Sequence, residues 1–292
     1  MDNALPFSQD SGPSEFASEV PIVSSASYEP AGAEAEHDAL TGYLHNTAAT
    51  ATIQNAMDLA IDAMALQPGD RALDVGCGPG DFLPRMAEAV GPRGLVSALD
   101  HAPGFLDEAR ALVAALALET PIEYIQGDAL ALPYPDNSFD AAHTERVLIH
   151  LSDPDRSLRE LYRVLRPGGW VVCVEPDLVG MRIDHERPAI AKLLVASFTE
   201  TIRFPAMGLE LNRRLAAAGF VDRSIQTLTE VDRTFDEGAA AIFGAGAHRM
   251  VADGRLSAVD AESALSWLSR QSAEGRYTSY TSMFIVAGRV PV

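Results

Sequence analysis

Three glycines crowd the segment Ala72-Leu73-Asp74-Val75-Gly76-Cys77-Gly78-Pro79-Gly80-Asp81, behind a short apolar run and ahead of a helical pattern. A strand that turns into a helix through such a loop belongs to an α/β sheet, which holds nucleotide-like ligands at that crest. Downstream, short apolar runs keep alternating with helical patterns, the signature of βαβ units and a mostly parallel sheet. The spacing predicts strands over residues 71–75, 94–99, 122–126, 139–144 and 169–175, and helices over 81–90, 103–118 and 154–165. In the last helix Asp153 suits the N-cap and Pro154 the first helical position, and Leu158, Leu161, Tyr162 and Leu165 form the buried stripe. An earlier helix is marked by Ile53, Ala56, Met57, Ala60, Ile61 and Met64 and stops near Gln67-Pro68-Gly69.

Beyond Glu175 the regularity loosens: residues 180–217 and 236–274 look helical, whereas 220–231 and 277–286 carry the β-branched and aromatic content of strands. A chain of 292 residues with 47% hydrophobic content can bury one sizeable α/β core with an appended cap. Residues 1–36 hold seven acids, no Lys or Arg, and few contiguous apolar residues, and read as a flexible acidic tail. The domain then occupies 37–292, with helical cap segments at about 180–217 and 236–274.

The net charge of −19, with no local basic patch, argues against a nucleic-acid partner. No apolar run nears the roughly 18 residues of a membrane span, and residues 1–20 lack a basic and apolar leader, so the expected location is the cytoplasm. Cys77 and Cys173 are the only cysteines, too few for a disulfide framework or a cysteine zinc site. Nothing specifies an oligomeric state.

What the glycine loop holds is narrowed by its sixth position. A dinucleotide fingerprint reads G-x-G-x-x-G/A, with pyrophosphate on the helix N-terminus, but here that position is Asp81, whose carboxylate would repel it. The spacing G-x-G-x-G behind Asp74 instead suits an adenosyl ligand without phosphate, whose amino group an acidic residue can meet. Asp100 closes the second strand, where one carboxylate can accept both ribose hydroxyls. Gly127-Asp128-Ala129 follows the third strand and brings a further carboxylate toward the adenine edge.

Residues 73–80, Asp100, Gly127-Asp128-Ala129, Phe139-Asp140 and Leu165-Arg166-Pro167-Gly168-Gly169 resemble, in order and spacing, the motifs of class I S-adenosylmethionine-dependent methyltransferases, in the small-molecule branch of the ubiquinone/menaquinone-biosynthesis type. The resemblance is specific over residues 70–176. It implies a Rossmann-like doubly wound sheet of order 3-2-1-4-5-7-6 with the last strand antiparallel, plus N-terminal helices and helical cap insertions. It implies S-adenosylmethionine as methyl donor and S-adenosylhomocysteine as product. By position, Asp74, Gly76, Gly78 and Gly80 become the methionine-side loop, Asp100 the ribose ligand with His101 beside it, and Asp128 with Ala129 the adenine contacts. Glu145 and Arg146 fall where the family's backbone meets the methionine portion. Asp74 as a turn cap and Arg146 as a surface ion-pair partner are the plain alternatives.

Methyl transfer from a sulfonium is an in-line displacement on an activated carbon, so alignment and exclusion of water are the protein's main contributions. A base is needed when the acceptor is a hydroxyl, a protonated amine or an acidic carbon, and histidine suits it. His150, just past the fourth strand, is the candidate base, with a structural role behind the pocket as its alternative. Glu175 and Asp177 could orient an acceptor, although Glu175-Pro176-Asp177 also reads as a turn; Tyr43 and His45 precede a helix that often covers the cofactor in this family. His37, His143, His185 and His248 lack metal-ligand spacing and read as surface or core residues, and no metal is expected.

The Asn/Asp-Pro-Pro-Tyr/Phe run of amino-methylating DNA enzymes is absent, since His143-Thr144-Glu145-Arg146 stands there, and both cysteines look structural. Phe198, Phe204, Met207, Phe243, Met250 and Trp267 either fill the cap's own core or line a pocket for a mostly apolar small acceptor, natural-product or quinone-like. A cofactor-binding protein of this fold without transferase activity, and a dinucleotide-dependent oxidoreductase, are the competing functions.

Overall fold

The computed structural model describes residues 41, 44, 45 and 47–292; the acidic segment 1–36, His37 and Tyr43 lie outside the described residues. Among the described residues seven strands form one sheet. β1 (Arg71–Val75) pairs in parallel with β2 (Leu95–Asp100) and β4 (Phe139–Glu145), β2 with β3 (Ile122–Gln126), and β4 with β5 (Leu165–Ile183). β7 (Ser279–Arg289) runs antiparallel between β5 and β6 (Val221–Asp232), which gives the order 3-2-1-4-5-7-6 implied by the resemblance.

Alternate side chains of each strand go to opposite faces, and both faces of the central strands are covered, whereas the edge strand β6 (Val221–Asp232) is largely exposed. Ala72, Val96, Ala98, Ala141 and Val172 share one core with α1 (Ala51–Met64), α2 (Leu83–Val90) and α3 (Pro103–Leu116). Leu73, Val75, Leu99, Ala142 and Val171 share the other with α4 (Pro154–Val164) and α6 (Met207–Ala218). Arg85 fastens α1 to α2 through Asp58 and Gln54 at 3.0 and 2.7 Å. The α4 N-terminus is capped as its sequence dictates: Asp153 accepts the Arg156 N–H at 2.9 Å and Pro154 follows.

A third cluster joins α5 (Pro188–Thr199), α7 (Glu237–Ala252) and α8 (Ala258–Ala273) to Met181 and Ile183 at the end of β5. Phe243 and Met250 are buried within it, and Phe198 and Trp267 pack on it. Met207 belongs to the core beneath α6, with Phe204 against it. These large side chains therefore fill cores.

β5 departs from its expected span at both ends. Leu165, expected as the end of a helix, is already paired with Phe139, and Glu175-Pro176-Asp177, legible as a turn, stays in strand because β7 pairs with it residue by residue. The pairing resumes past a bulge between Asp177 and Arg182, so residues 180–183 are strand and the helices begin at Pro188.

Candidate active site

The chain enters the sheet at β1, runs outward through β2 and β3, then returns to β4 on the other side of β1, which puts the topological switch point between β1 and β4. Ligands of open α/β sheets bind at the carboxyl ends of the strands beside that point. The loops after β1, β2, β3 and β4 all emerge there.

The glycine loop is stitched to the end of β2: Gly76 and Cys77 donate N–H bonds to the Leu99 carbonyl at 2.7 and 3.1 Å, and Gly78 donates to Asp100 Oδ2 at 3.0 Å. Gly76 and Gly78 hold φ of +74° and +53°, a region that glycine reaches without steric cost. A Cβ at Gly76 would collide with Val147 Cγ2, whereas one at Gly78 would meet nothing within 4 Å, so that part of the loop faces open space. Gly76→Ala is therefore expected to destabilise the fold by about 1–3 kcal/mol through positive-φ strain and overpacking. Urea denaturation checks this, and an unchanged midpoint would contradict it.

Asp74 is buried at the end of β1 and hydrogen-bonded to its cross-strand partner on β4, the His143 ring N–H donating to Oδ1 at 2.9 Å. Phe82 covers that imidazole with ring centroids 4.0 Å apart. His143 is thus a core histidine, and its pairing with Asp74 was not visible in the sequence because it depends on the β1–β4 register. Asp100 is 5% exposed; its Oδ1 accepts the Ala102 N–H at 2.9 Å, and the ion-pair contact with exposed His101 raises that imidazole above its ordinary pKa. Asp128 is exposed and accepts the Leu130 N–H at 2.8 Å, leaving Ala129 buried under the loop.

Past β4, Glu145 pairs with Arg146 at 3.1 Å, and Arg146 holds φ +53°, which bends the chain sharply off the strand. His150 follows on this turn, half-buried, its N–H donating to the Val147 carbonyl at 3.0 Å. Burial, and secondarily the Arg146 charge, lowers its pKa below the ordinary 6.5. Burial pushes the Cys77 thiol up, as expected of a structural cysteine.

Glu175 is fully buried on β5, and its Oε1 accepts the Val147 and Leu148 N–H groups at 2.9 and 2.7 Å. Burial, with Glu145 adding to it, pushes its pKa from an ordinary 4.5 up to about 8. The folded protein then holds a proton that the unfolded chain has released above pH 4.5. Stability should fall as pH rises from about 4.5 to about 8 and level off above. Denaturation of the parent and Glu175→Gln across this window checks it: the difference between them should change with pH, and a constant difference would contradict the assignment.

Two further contacts escaped the sequence. His45 Nδ1 lies 2.9 Å from Asp81 Oδ1, tying the segment before α1 to the end of the glycine loop. On β6, Glu230 meets the Thr50 hydroxyl at 3.4 Å, and its pKa is raised by burial and then by Asp232. Both contacts join residues at least 36 apart in the chain, with no motif to announce them. Of the other histidines, His185 is buried against Trp267 and His248 is exposed.

A mixed sheet of this order, with a glycine loop facing open space and a carboxylate closing β2, defines the class I S-adenosylmethionine-dependent methyltransferases. The methyltransferase domain family matches residues 73–173. Demethylmenaquinone methyltransferase of Geobacillus stearothermophilus is 37% identical over 182 residues, 57% of this chain and 77% of the relative. An uncharacterised 37.1 kDa protein in transposon TN4556 of Streptomyces fradiae is 33% identical over 252 residues, 85% of this chain and 71% of the relative. The crystal structure of a candidate methyltransferase from Bacillus halodurans superposes with a TM-score of 0.59 at 20% identity, covering 81% of this chain and 99% of that one, and shares the fold.

The chain belongs to the class I methyltransferases of the quinone-biosynthesis type: it uses S-adenosylmethionine as methyl donor and acts on small molecules. The residues present fit that donor, since the open face at Gly78 lies beside the Asp100 carboxylate and no Cβ fills it. Among the described residues no helix is long and apolar enough to cross a membrane.

Proposed function

We propose that the acceptor is a small, mostly apolar aromatic hydroxyl compound, quinol-like or a related natural product, and that His150 is its general base. The observation that carries this is the placement of the half-buried His150 on the turn after β4, where burial and then Arg146 lower its pKa. The 37% identity to a demethylmenaquinone methyltransferase supports a quinol-like acceptor. In the same proposal Asp74, Gly76, Gly78 and Gly80 hold the methionine portion of the donor, together with Glu145 and Arg146. Asp100 takes the ribose hydroxyls with His101 alongside, and Asp128 and Ala129 meet the adenine. The helices at 188–199 and 237–273 form a cap over the acceptor side, and the protein works in the cytoplasm without nucleic acid.

Bound S-adenosylmethionine supplies a methyl carbon already activated by a sulfonium leaving group. His150 Nδ1 or Nε2 takes the acceptor's hydroxyl proton, which leaves an oxyanion whose oxygen is the nucleophile, or whose activated ring carbon is, that carbon then losing its own proton to restore the aromatic ring. The glycine loop and the turn after β4 align the two partners and exclude water. A short-chain demethylmenaquinol incubated with the full chain and S-adenosylmethionine tests this. S-adenosylhomocysteine released in step with methylated quinol supports it; no turnover on this quinol and on simple phenolic acceptors would refute it.

A further inference from the structure

We propose that Glu175 is a positioning residue that clamps the turn after β4 against the glycine loop, so that the acceptor side and the cofactor side keep one fixed separation, an assignment that rests on the cofactor placement and the role of His150 proposed above. Strand pairing between β4 and β5 ends at Glu145 opposite Val174, and three successive amides follow. The first, on Arg146, donates to the Val174 carbonyl at 2.9 Å. The next two, on Val147 and Leu148, have no strand partner and converge on Glu175 Oε1. Buried backbone N–H groups must be paired, and a single side-chain oxygen does it for both.

Two consequences radiate from the clamped turn. Toward the cofactor, the Val147 methyl group occupies the space that a Cβ on Gly76 would take, so the turn and the glycine loop are in contact through that valine. Toward the acceptor, the Val147 carbonyl accepts the His150 N–H at 3.0 Å, so the imidazole's backbone is built on the same turn. Glu175 acts through the turn, its Oε1 being taken up by the two amides. Its second oxygen, Oε2, is buried without a partner among the described residues, an arrangement that costs stability and that an apolar side chain would avoid. The cost is understandable if the carboxyl is there to hold the two amides.

Glu175→Gln keeps an oxygen for both amides and Glu175→Leu removes it. Both are made in the full chain, with circular dichroism showing the folded fraction. The two readouts are amide hydrogen exchange at residues 147 and 148 and calorimetric affinity for S-adenosylhomocysteine. The glutamine variant should stay within about threefold of the parent in affinity and keep both amides protected, whereas the leucine variant should lose protection there and bind at least about tenfold more weakly. A leucine variant that binds like the parent, or a glutamine variant that fails as badly as leucine, would overturn the clamp.

Should Glu175→Leu not fold, Val147→Ala decides. It removes the contact with Gly76 but leaves the clamped amides, so it should weaken S-adenosylhomocysteine binding with residues 147 and 148 still protected; unchanged binding would overturn the coupling. A parent that binds no S-adenosylhomocysteine would overturn the cofactor placement and this coupling with it. A binding parent with indifferent variants would overturn the coupling alone.

Discussion

Turnover of the proposed quinol-like acceptor by His150→Gln is expected to fall by about 10² to 10⁴, the usual contribution of a positioned general base, while affinity for S-adenosylmethionine stays close to that of the parent. In the proposed arrangement the two effects separate, because His150 would face the acceptor while the glycine loop, tied to Asp100, would hold the donor. A histidine with only a packing role would behave in the opposite way, lowering stability and leaving the rate per folded molecule nearly intact. The pH profile adds a second check. Because burial and Arg146 lower the imidazole pKa, the rate of the parent should rise with pH along a limb below 6.5 and then level off. Removing the nearby cation in Arg146→Gln should move that limb to higher pH. A fall of less than about threefold in folded His150→Gln, well under the range for a lost base, would withdraw the base assignment and leave alignment alone to carry the reaction.

Asp100→Ala is expected to weaken S-adenosylmethionine binding by about ten- to a hundredfold, since a lost hydrogen bond to a charged group costs roughly 1.5–3 kcal/mol. The residue has two duties. Its carboxylate closes β2 where the ribose hydroxyls would lie, and its oxygens already hold the Gly78 and Ala102 amides at 3.0 and 2.9 Å. Each oxygen has two lone pairs, so accepting those amides leaves capacity for hydroxyl donors. On this assignment the alanine variant would lose both the ligand contact and the anchor of the loop's open face. Asp100→Asn, which keeps one carbonyl oxygen, should lie between parent and alanine. Calorimetry decides, with melting curves to show that the variants are folded, and an alanine variant with parental affinity would show that the ribose assignment is wrong.

The parallel half of the sheet was legible because its determinants are local. β1 and β3 coincide with the spans read from apolar runs, and β2 is shifted by one residue, since the Gly94 backbone still turns where the strand was expected to begin. β5 was read too short because a strand extending past Pro176 is held by β7, more than a hundred residues away, and no local pattern records that partner. The same limit applies to the site. Asp74, Asp100 and His150 were picked out by position along the chain, but the hydrogen bonds of Asp74 to His143, Asp81 to His45 and Glu175 to the Val147 turn follow from register and crossover. In the sequence Glu175 is a polar residue at a strand end that could orient an acceptor; its burial and its two backbone partners follow only from β4 and β5 lying side by side.

A crystal structure of the full chain with S-adenosylhomocysteine tests the central claim most directly. The ligand should lie at the carboxyl ends of β1 and β2, with both ribose hydroxyls on the Asp100 carboxylate, its sulfur on the side of the turn that carries His150, and its backbone atoms passing the open face at Gly78. A ligand bound elsewhere on the sheet, or with its ribose away from Asp100, would contradict it.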